Sequence, residues 1–244
     1  MKKRVKVVSL IIIIIALLAG AFYLLKDEIL PQPQKLTIIG LGDSLTFGVG
    51  ATEGHNYLAR IEAKLAAEAD IETVTAINYG VTGNTSTQIN GRLHEDKQLQ
   101  KDIKKADIVT ITAGGNDLMG VVKKSLLRTT TDSFDGALKT YETQVSDIIA
   151  TIRKKNPTAQ IYVLGIYNPF TQILGDNAEA NAILDSWNAA LTTISKQKNV
   201  TFVPVAKEFK AAGADYISTA DQFHPNDAGY ALMAKKLYAK IKEQ

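Results

Sequence analysis

The chain has 244 residues, 45% hydrophobic and 22% charged, so it is long enough for one sizeable core and too short for two ordinary domains. This composition excludes a disordered or collagen-like chain, and the lack of cysteine excludes disulfides, thiolate nucleophiles and Cys-ligated zinc. The formal charge of +3 arises in residues 1–30, and the remainder carries 23 basic and 23 acidic residues. We therefore expect no nucleic-acid partner.

Residues 1–30 contain a basic cluster followed by an apolar run over residues 7–25. A run of about 19 residues can span the hydrocarbon of a bilayer. The Lys and Arg residues before it predict a cytoplasmic amino terminus, with the rest of the chain outside the cell. We expect a single-pass membrane anchor in this helix. The alternative is a signal peptide that is cleaved after Ala21, which would give a secreted protein.

The two prolines in residues 31–35 predict a short stiff spacer. We expect residues 36–244 to form the exported domain. In that domain, short runs rich in Val, Ile and Thr alternate with amphipathic segments. Strands are predicted at residues 36–41, 73–78, 107–113, 160–166 and 201–205. Helices are predicted at residues 57–68, 87–106 in two pieces, 133–155, 179–198 and 225–242. This alternation predicts the α/β class, as a three-layer α/β/α sandwich with a five-stranded parallel sheet.

Ligand sites in such sheets lie at the carboxyl ends of the strands. The first strand ends in Gly42-Asp43-Ser44-Leu45, where a tight turn into a helix would expose the Ser44 hydroxyl and its N–H. The alternative is a helix cap, since Asp and Ser are preferred there. The glycines lack the spacing of a dinucleotide fingerprint or a Walker loop, so we expect no nucleotide cofactor.

Two further loops carry candidate hydrogen-bond donors. The second strand is followed by Gly83, whose backbone N–H could face a ligand, and the alternative is a turn in which Asn84 or Thr85 caps the next helix. The third strand is followed by Asn116, whose side-chain amide could donate to an oxyanion or could serve the turn alone.

The last loop contains Asp221 and His224, three residues apart, followed by Pro225 near the expected start of the final helix. This spacing lets the carboxylate orient the imidazole, so His224 could act as a general base. His55 and His94 are expected to be surface residues. Because no two histidines have metal-ligand spacing, we predict no metal site.

Together, the four loops resemble the GDSL family of serine hydrolases, also called SGNH hydrolases. The matching blocks are Gly42 to Leu45, Gly83, Gly114 to Asp117, and Asp221 to His224, in the order of the family. The resemblance implies a flavodoxin-like fold and a catalytic triad of Ser44, His224 and Asp221. It also implies an oxyanion hole formed by the N–H groups of Ser44 and Gly83 and the side-chain amide of Asn116.

The resemblance implies hydrolysis of carboxylic esters, and the substrate stays open among lipid, lysophospholipid and other acyl esters. Apolar residues at 118–122 and 166–170 could hold an acyl chain, or could simply pack the core. A carbohydrate or cell-wall O-acetyl esterase is the alternative. A membrane-tethered binding protein without catalysis is a third hypothesis, disfavoured because every expected catalytic residue type is present.

Overall fold

The computed structural model describes residues 14–21, 23, 33–125, 131–169 and 178–243. Ten of the 19 residues of the predicted anchor, at positions 7–13, 22, 24 and 25, therefore lie outside the described residues. Within the described ranges, no helix combines the length and the apolar character needed to cross a bilayer.

The five predicted strands form one parallel sheet in the order β2-β1-β3-β4-β5. They are β1 (Gln34–Gly42), β2 (Ile71–Gly80), β3 (Ile108–Ile111), β4 (Gln160–Leu164) and β5 (Thr201–Val203). The first strand begins within the segment expected to be a spacer. Because β1 lies between β2 and β3, the strand order reverses beside β1. This reversal is the topological switch point, where α/β sheets bind their ligands.

Helices cover both faces of the sheet, which confirms the predicted three-layer fold. They are α1 (Ser44–Phe47), α2 (Tyr57–Ala66), α3 (Ser86–Glu95), α4 (Lys97–Ile103), α5 (Gly115–Ser125), α6 (Thr131–Lys155), α7 (Ala178–Lys198), α8 (Ala206–Ala212) and α9 (Asp227–Lys242). Buried residues of α3, α4, α6 and α7 share one core, and those of α2, α8 and α9 share the other.

The strand sequences explain why both faces are covered. Neighbouring residues point to opposite faces, so Ile39 and Val109 enter one core while Ile38 and Ile108 enter the other. These strands therefore contain continuous apolar runs, as expected for parallel strands that are buried on both faces.

Several predicted boundaries were wrong. The third strand ends at Ile111 instead of residue 113, and the fourth and fifth each end two residues early. The last helix begins at Asp227, because Asn226 caps it and Pro225 precedes the cap. The helix expected after the Ser44 turn is α1, for which no bounds were predicted. Helices α5 and α8 were not predicted, and α5 starts within a glycine-rich loop sequence.

Candidate active site

Ser44 is the first residue of α1, two residues after the end of β1. The cap of this helix is Asp43, whose side chain accepts a hydrogen bond from the Leu45 N–H at 3.0 Å. The cap interpretation is therefore correct for Asp43, and the hydroxyl of Ser44 is left to other partners. Gly80 allows the close approach of α1 to β2, because a Cβ at this position would lie 2.1 Å from the Phe47 nitrogen.

The Asp43 carboxyl group is fully buried, and burial raises its pKa. A chain of buried hydroxyl groups leads to it. Thr112 donates to Asp43 Oδ1 at 2.8 Å, Thr46 lies 2.8 Å from Thr112, and Tyr57 lies 2.9 Å from Thr46. Each hydroxyl has one proton to donate. Because Thr112 donates its proton to the carboxylate, it must accept from Thr46, and Thr46 must in turn accept from Tyr57. These bonds fix the turn that carries Ser44.

The structure brings Ser44, His224 and Asp221 together in one hydrogen-bonded row. His224 Nε2 lies 2.9 Å from Ser44 Oγ, and His224 Nδ1 lies 2.6 Å from Asp221 Oδ2. The other Asp221 oxygen accepts the backbone N–H groups of Phe223 and His224 at 2.9 and 3.0 Å. Burial opposes ionisation of Asp221, but the hydrogen bonds from His224 and from the backbone leave its pKa below the ordinary value. Asp221 is thus a carboxylate at neutral pH.

A second loop, residues 48–56, braces the backbone around His224. Gly50 has a φ of 90°, and a Cβ there would lie 2.4 Å from the Pro225 carbonyl oxygen. Thr52 anchors this loop by donating its N–H and its hydroxyl to the Asp227 carboxylate, at 2.8 and 2.7 Å. His55 joins the same cluster, with Nδ1 3.2 Å from Asp227. His55 is exposed, as predicted, and it holds this loop against the start of α9.

Gly83 lies on the loop after β2, and Asn116 lies in the first turn of α5, which contacts that loop. Gly83 has a φ of 83°, a left-handed conformation that favours glycine. The Asn116 side-chain amide donates one hydrogen to the Asn84 carbonyl at 2.9 Å and retains a second hydrogen for another acceptor. Thr85 caps α3 with a full capping box, so the cap interpretation also holds for this loop.

An apolar cavity of about 280 Å³ opens beside Ser44. Its apolar lining comes largely from two helices and the segment after β4. The residues include Leu118, Met119, Val122, Ile166, Ile183 and Leu184. Asn116 and Ser44 border the same cavity, so a group attached to the serine would have direct access to it. Within the described part of the chain, no group of three or more His, Asp or Glu side chains could hold a metal ion.

The family model for the GDSL-like lipase/acylhydrolase family matches residues 41–232, which contain every site residue described above. The chain belongs to this family. It is therefore an ester-cleaving enzyme, as predicted from the four loops.

Three relatives illustrate the family. The uncharacterized protein YpmR of Bacillus subtilis is 37% identical over 213 residues, which cover 86% of this chain and 83% of YpmR. The spore germination lipase LipC of Bacillus licheniformis is 28% identical, with 84% of this chain and 96% of LipC covered. The crystal structure of the lipase Lip_vut3 from a goat rumen metagenome matches with a TM-score of 0.75 at 27% identity, covering 84% of this chain and 96% of that chain.

Sequence reasoning missed the residues that support the site. Thr112 and Tyr57 reach Asp43 through hydroxyl contacts, and Arg92 donates to three groups near the strand ends. The one sequence signal for Thr112 is its position, as a polar residue that follows a buried apolar strand. No local pattern distinguishes Arg92 from a solvated helix residue, because its acceptors are distant in sequence or belong to the backbone.

Replacing Thr112 with Val should destabilise the fold by about 1–3 kcal/mol, because the buried Asp43 loses its side-chain donor. Urea unfolding measures this difference. The loss should shrink as the pH is lowered. Burial raises the folded-state pKa of Asp43, so protonation of its carboxyl group removes the charge that has lost the Thr112 donor.

Thr143→Val is the matched control, since Thr143 donates only to the Lys139 carbonyl on an exposed helix surface. Its effect should stay within about 0.5 kcal/mol. Equal effects of the two substitutions would contradict a special role for the Thr112 hydroxyl.

Proposed function

We propose that this chain is a serine esterase in which Ser44 is the nucleophile, His224 the general base and Asp221 the residue that orients His224. The observation that carries this proposal is the pair of hydrogen bonds that His224 makes, to Ser44 at 2.9 Å and to Asp221 at 2.6 Å. A serine hydroxyl is a weak nucleophile at neutral pH, and an adjacent base activates it. The ionised Asp221 favours the protonated imidazole that forms during attack.

The reaction proceeds through two displacements. Ser44 Oγ bonds to the ester carbonyl carbon while its proton passes to His224 Nε2. The tetrahedral intermediate expels the alcohol, which takes that proton, and an acyl-serine ester remains. Water then loses a proton to His224 and attacks the acyl group. The carboxylic acid leaves as Ser44 regains its proton, so the enzyme is unchanged.

Charge develops on the carbonyl oxygen in each step, and three donors are suited to stabilise it. They are the N–H groups of Ser44 and Gly83 and the free hydrogen of the Asn116 amide. Fixed donors cost no reorganisation when the charge forms, and the loss of one donor typically lowers kcat about 100- to 1,000-fold. The contact between Asn116 and Asn84 supports this assignment, because it holds the amide beside Gly83.

The apolar cavity supports esters of aliphatic acyl groups as substrates. An acetyl group would leave most of the cavity beyond Ser44 empty, whereas a longer chain would contact Met119, Val122 and Ile183. Each buried methylene contributes about 0.8 kcal/mol, which is about fourfold in kcat/KM when it is realised in the transition state. The lipase names of the two relatives above agree with this preference.

The test is hydrolysis of p-nitrophenyl esters from acetyl to long acyl chains by residues 31–244 and by the Ser44→Ala variant. We expect kcat/KM to rise about fourfold per methylene until the cavity is filled, and no turnover above background in the variant. Highest activity on acetyl esters would favour the O-acetyl esterase. Undiminished turnover by the folded Ser44→Ala variant would overturn the proposed nucleophile.

Replacing Val122 with Phe should shorten the preferred acyl chain, because the larger side chain occupies the cavity on α5. Activity on the acetyl ester should stay within about twofold, as its methyl group does not reach this position. Lys123→Phe is the matched control, because Lys123 is exposed on the same helix and does not line the cavity. An unchanged chain-length profile in Val122→Phe would contradict the assignment of the acyl site.

We also propose that residues 7–25 anchor the enzyme in the cell membrane, with the catalytic domain on the extracytoplasmic side. The sequence supports this location through its basic cluster and apolar run. Fractionation of cells should recover the full-length protein with the membranes. A shorter protein in the medium would instead indicate cleavage after the signal sequence.

A further inference from the structure

Arg92 lies on α3 and joins three separate segments at the carboxyl edge of the sheet. Its Nε donates to the Asn84 side-chain oxygen at 2.8 Å. One terminal nitrogen donates to the Tyr79 carbonyl at 3.1 Å, and the other donates to the Gly42 carbonyl at 3.0 Å. The guanidinium group therefore links the end of β1, the end of β2 and the loop that contains Gly83.

The surroundings of Arg92 are unusual for an arginine. The residue is partly buried, and burial lowers the pKa of its guanidinium, an effect that Asp96 partly opposes. All three of its hydrogen-bond acceptors are uncharged amide oxygens. Because a guanidinium keeps its charge in proteins, this edge of the site contains a fixed cation that is held by neutral groups.

Two of the segments held by Arg92 lead to the three oxyanion donors, the first to Ser44 and the second to Gly83 and Asn116. Gly42 lies two residues before Ser44, and its carbonyl also accepts the Val81 N–H at 3.0 Å. Asn84 follows Gly83 directly, and its carbonyl accepts the Asn116 amide. A shift of Asn84 would therefore move Gly83 and Asn116 together, relative to Ser44.

We propose that Arg92 is the positioning residue of the oxyanion hole, setting the distances between its three donors; this inference rests on the proposed serine esterase function. A donor displaced by about 1 Å can cost about 100-fold in rate. The planar fork of arginine provides five N–H groups in fixed directions, so a lysine ammonium cannot reproduce the three contacts. The effect should fall on the transition state, where the oxyanion forms, and spare ground-state binding.

The experiment compares Arg92→Met and Arg92→Lys with wild type on p-nitrophenyl butyrate. We expect kcat to fall at least about tenfold in Arg92→Met, with KM within about twofold, and Arg92→Lys to restore only part of the loss. Arg153→Met is the matched control. Arg153 also donates to three carbonyls, those of Pro157, Ala159 and Asn199, but at the amino ends of β4 and β5, away from Ser44.

Thermal unfolding of the same variants separates positioning from stability. Arg92→Met and Arg153→Met are compared at an equal loss of melting temperature. If they then also lose equal amounts of kcat, Arg92 only stabilises the fold and the proposal is wrong. Equal kcat for Arg92→Met and wild type would also overturn it.

Asn84→Ala provides an independent test, because it removes the Arg92 acceptor on the loop and keeps the backbone carbonyl that binds Asn116. We expect Asn84→Ala to lower kcat. In the double variant with Arg92→Met, the two losses should not add, and additive losses would contradict the coupling between the two residues. A wild-type enzyme without Ser44-dependent turnover would refute the proposed function itself. Ser44-dependent turnover with unaffected Arg92 and Asn84 variants would refute this inference alone.

Discussion

The buried carboxylate of Asp43 is the constraint on which the site depends. It caps α1, and it lies beside the nucleophile candidate, where burial makes its charge costly. The hydroxyl groups of Thr112, Thr46 and Tyr57 reduce this cost by a chain of hydrogen bonds that crosses from β3 to α2. Because the carboxylate needs these donors, the turn that carries Ser44 is fixed to the two neighbouring elements before any substrate binds.

The two halves of the site come from positions 180 residues apart in the chain, and two sets of contacts join them. The loop around Gly50 packs against Pro225, the residue after His224, while Arg92 connects the ends of β1 and β2 and the loop that contains Gly83. The proposed base and the proposed oxyanion donors are thus held by different parts of the fold. This separation allows a variant of one set to leave the other intact.

Local sequence predicted the fold well because each strand is a short apolar run and each long helix is amphipathic. The four site loops were also predictable, since Ser44, Asp221 and His224 stand in short motifs with the order of the family. Local sequence failed for α5, where Gly115 and Asn116 suggested a loop although the chain enters a helix there. It also failed for Arg92, whose role depends on acceptors from three segments that only the folded sheet brings together.

Covalent trapping with a fluorophosphonate tests the central claim most directly, because the probe reacts with a serine that is activated by a base and faces an oxyanion hole. Intact-protein mass spectrometry followed by peptide mapping identifies the modified residue. The account predicts one adduct per chain, located on Ser44 and absent from the folded Ser44→Ala variant. No adduct on the folded wild-type protein, or an adduct that persists in Ser44→Ala, would contradict it.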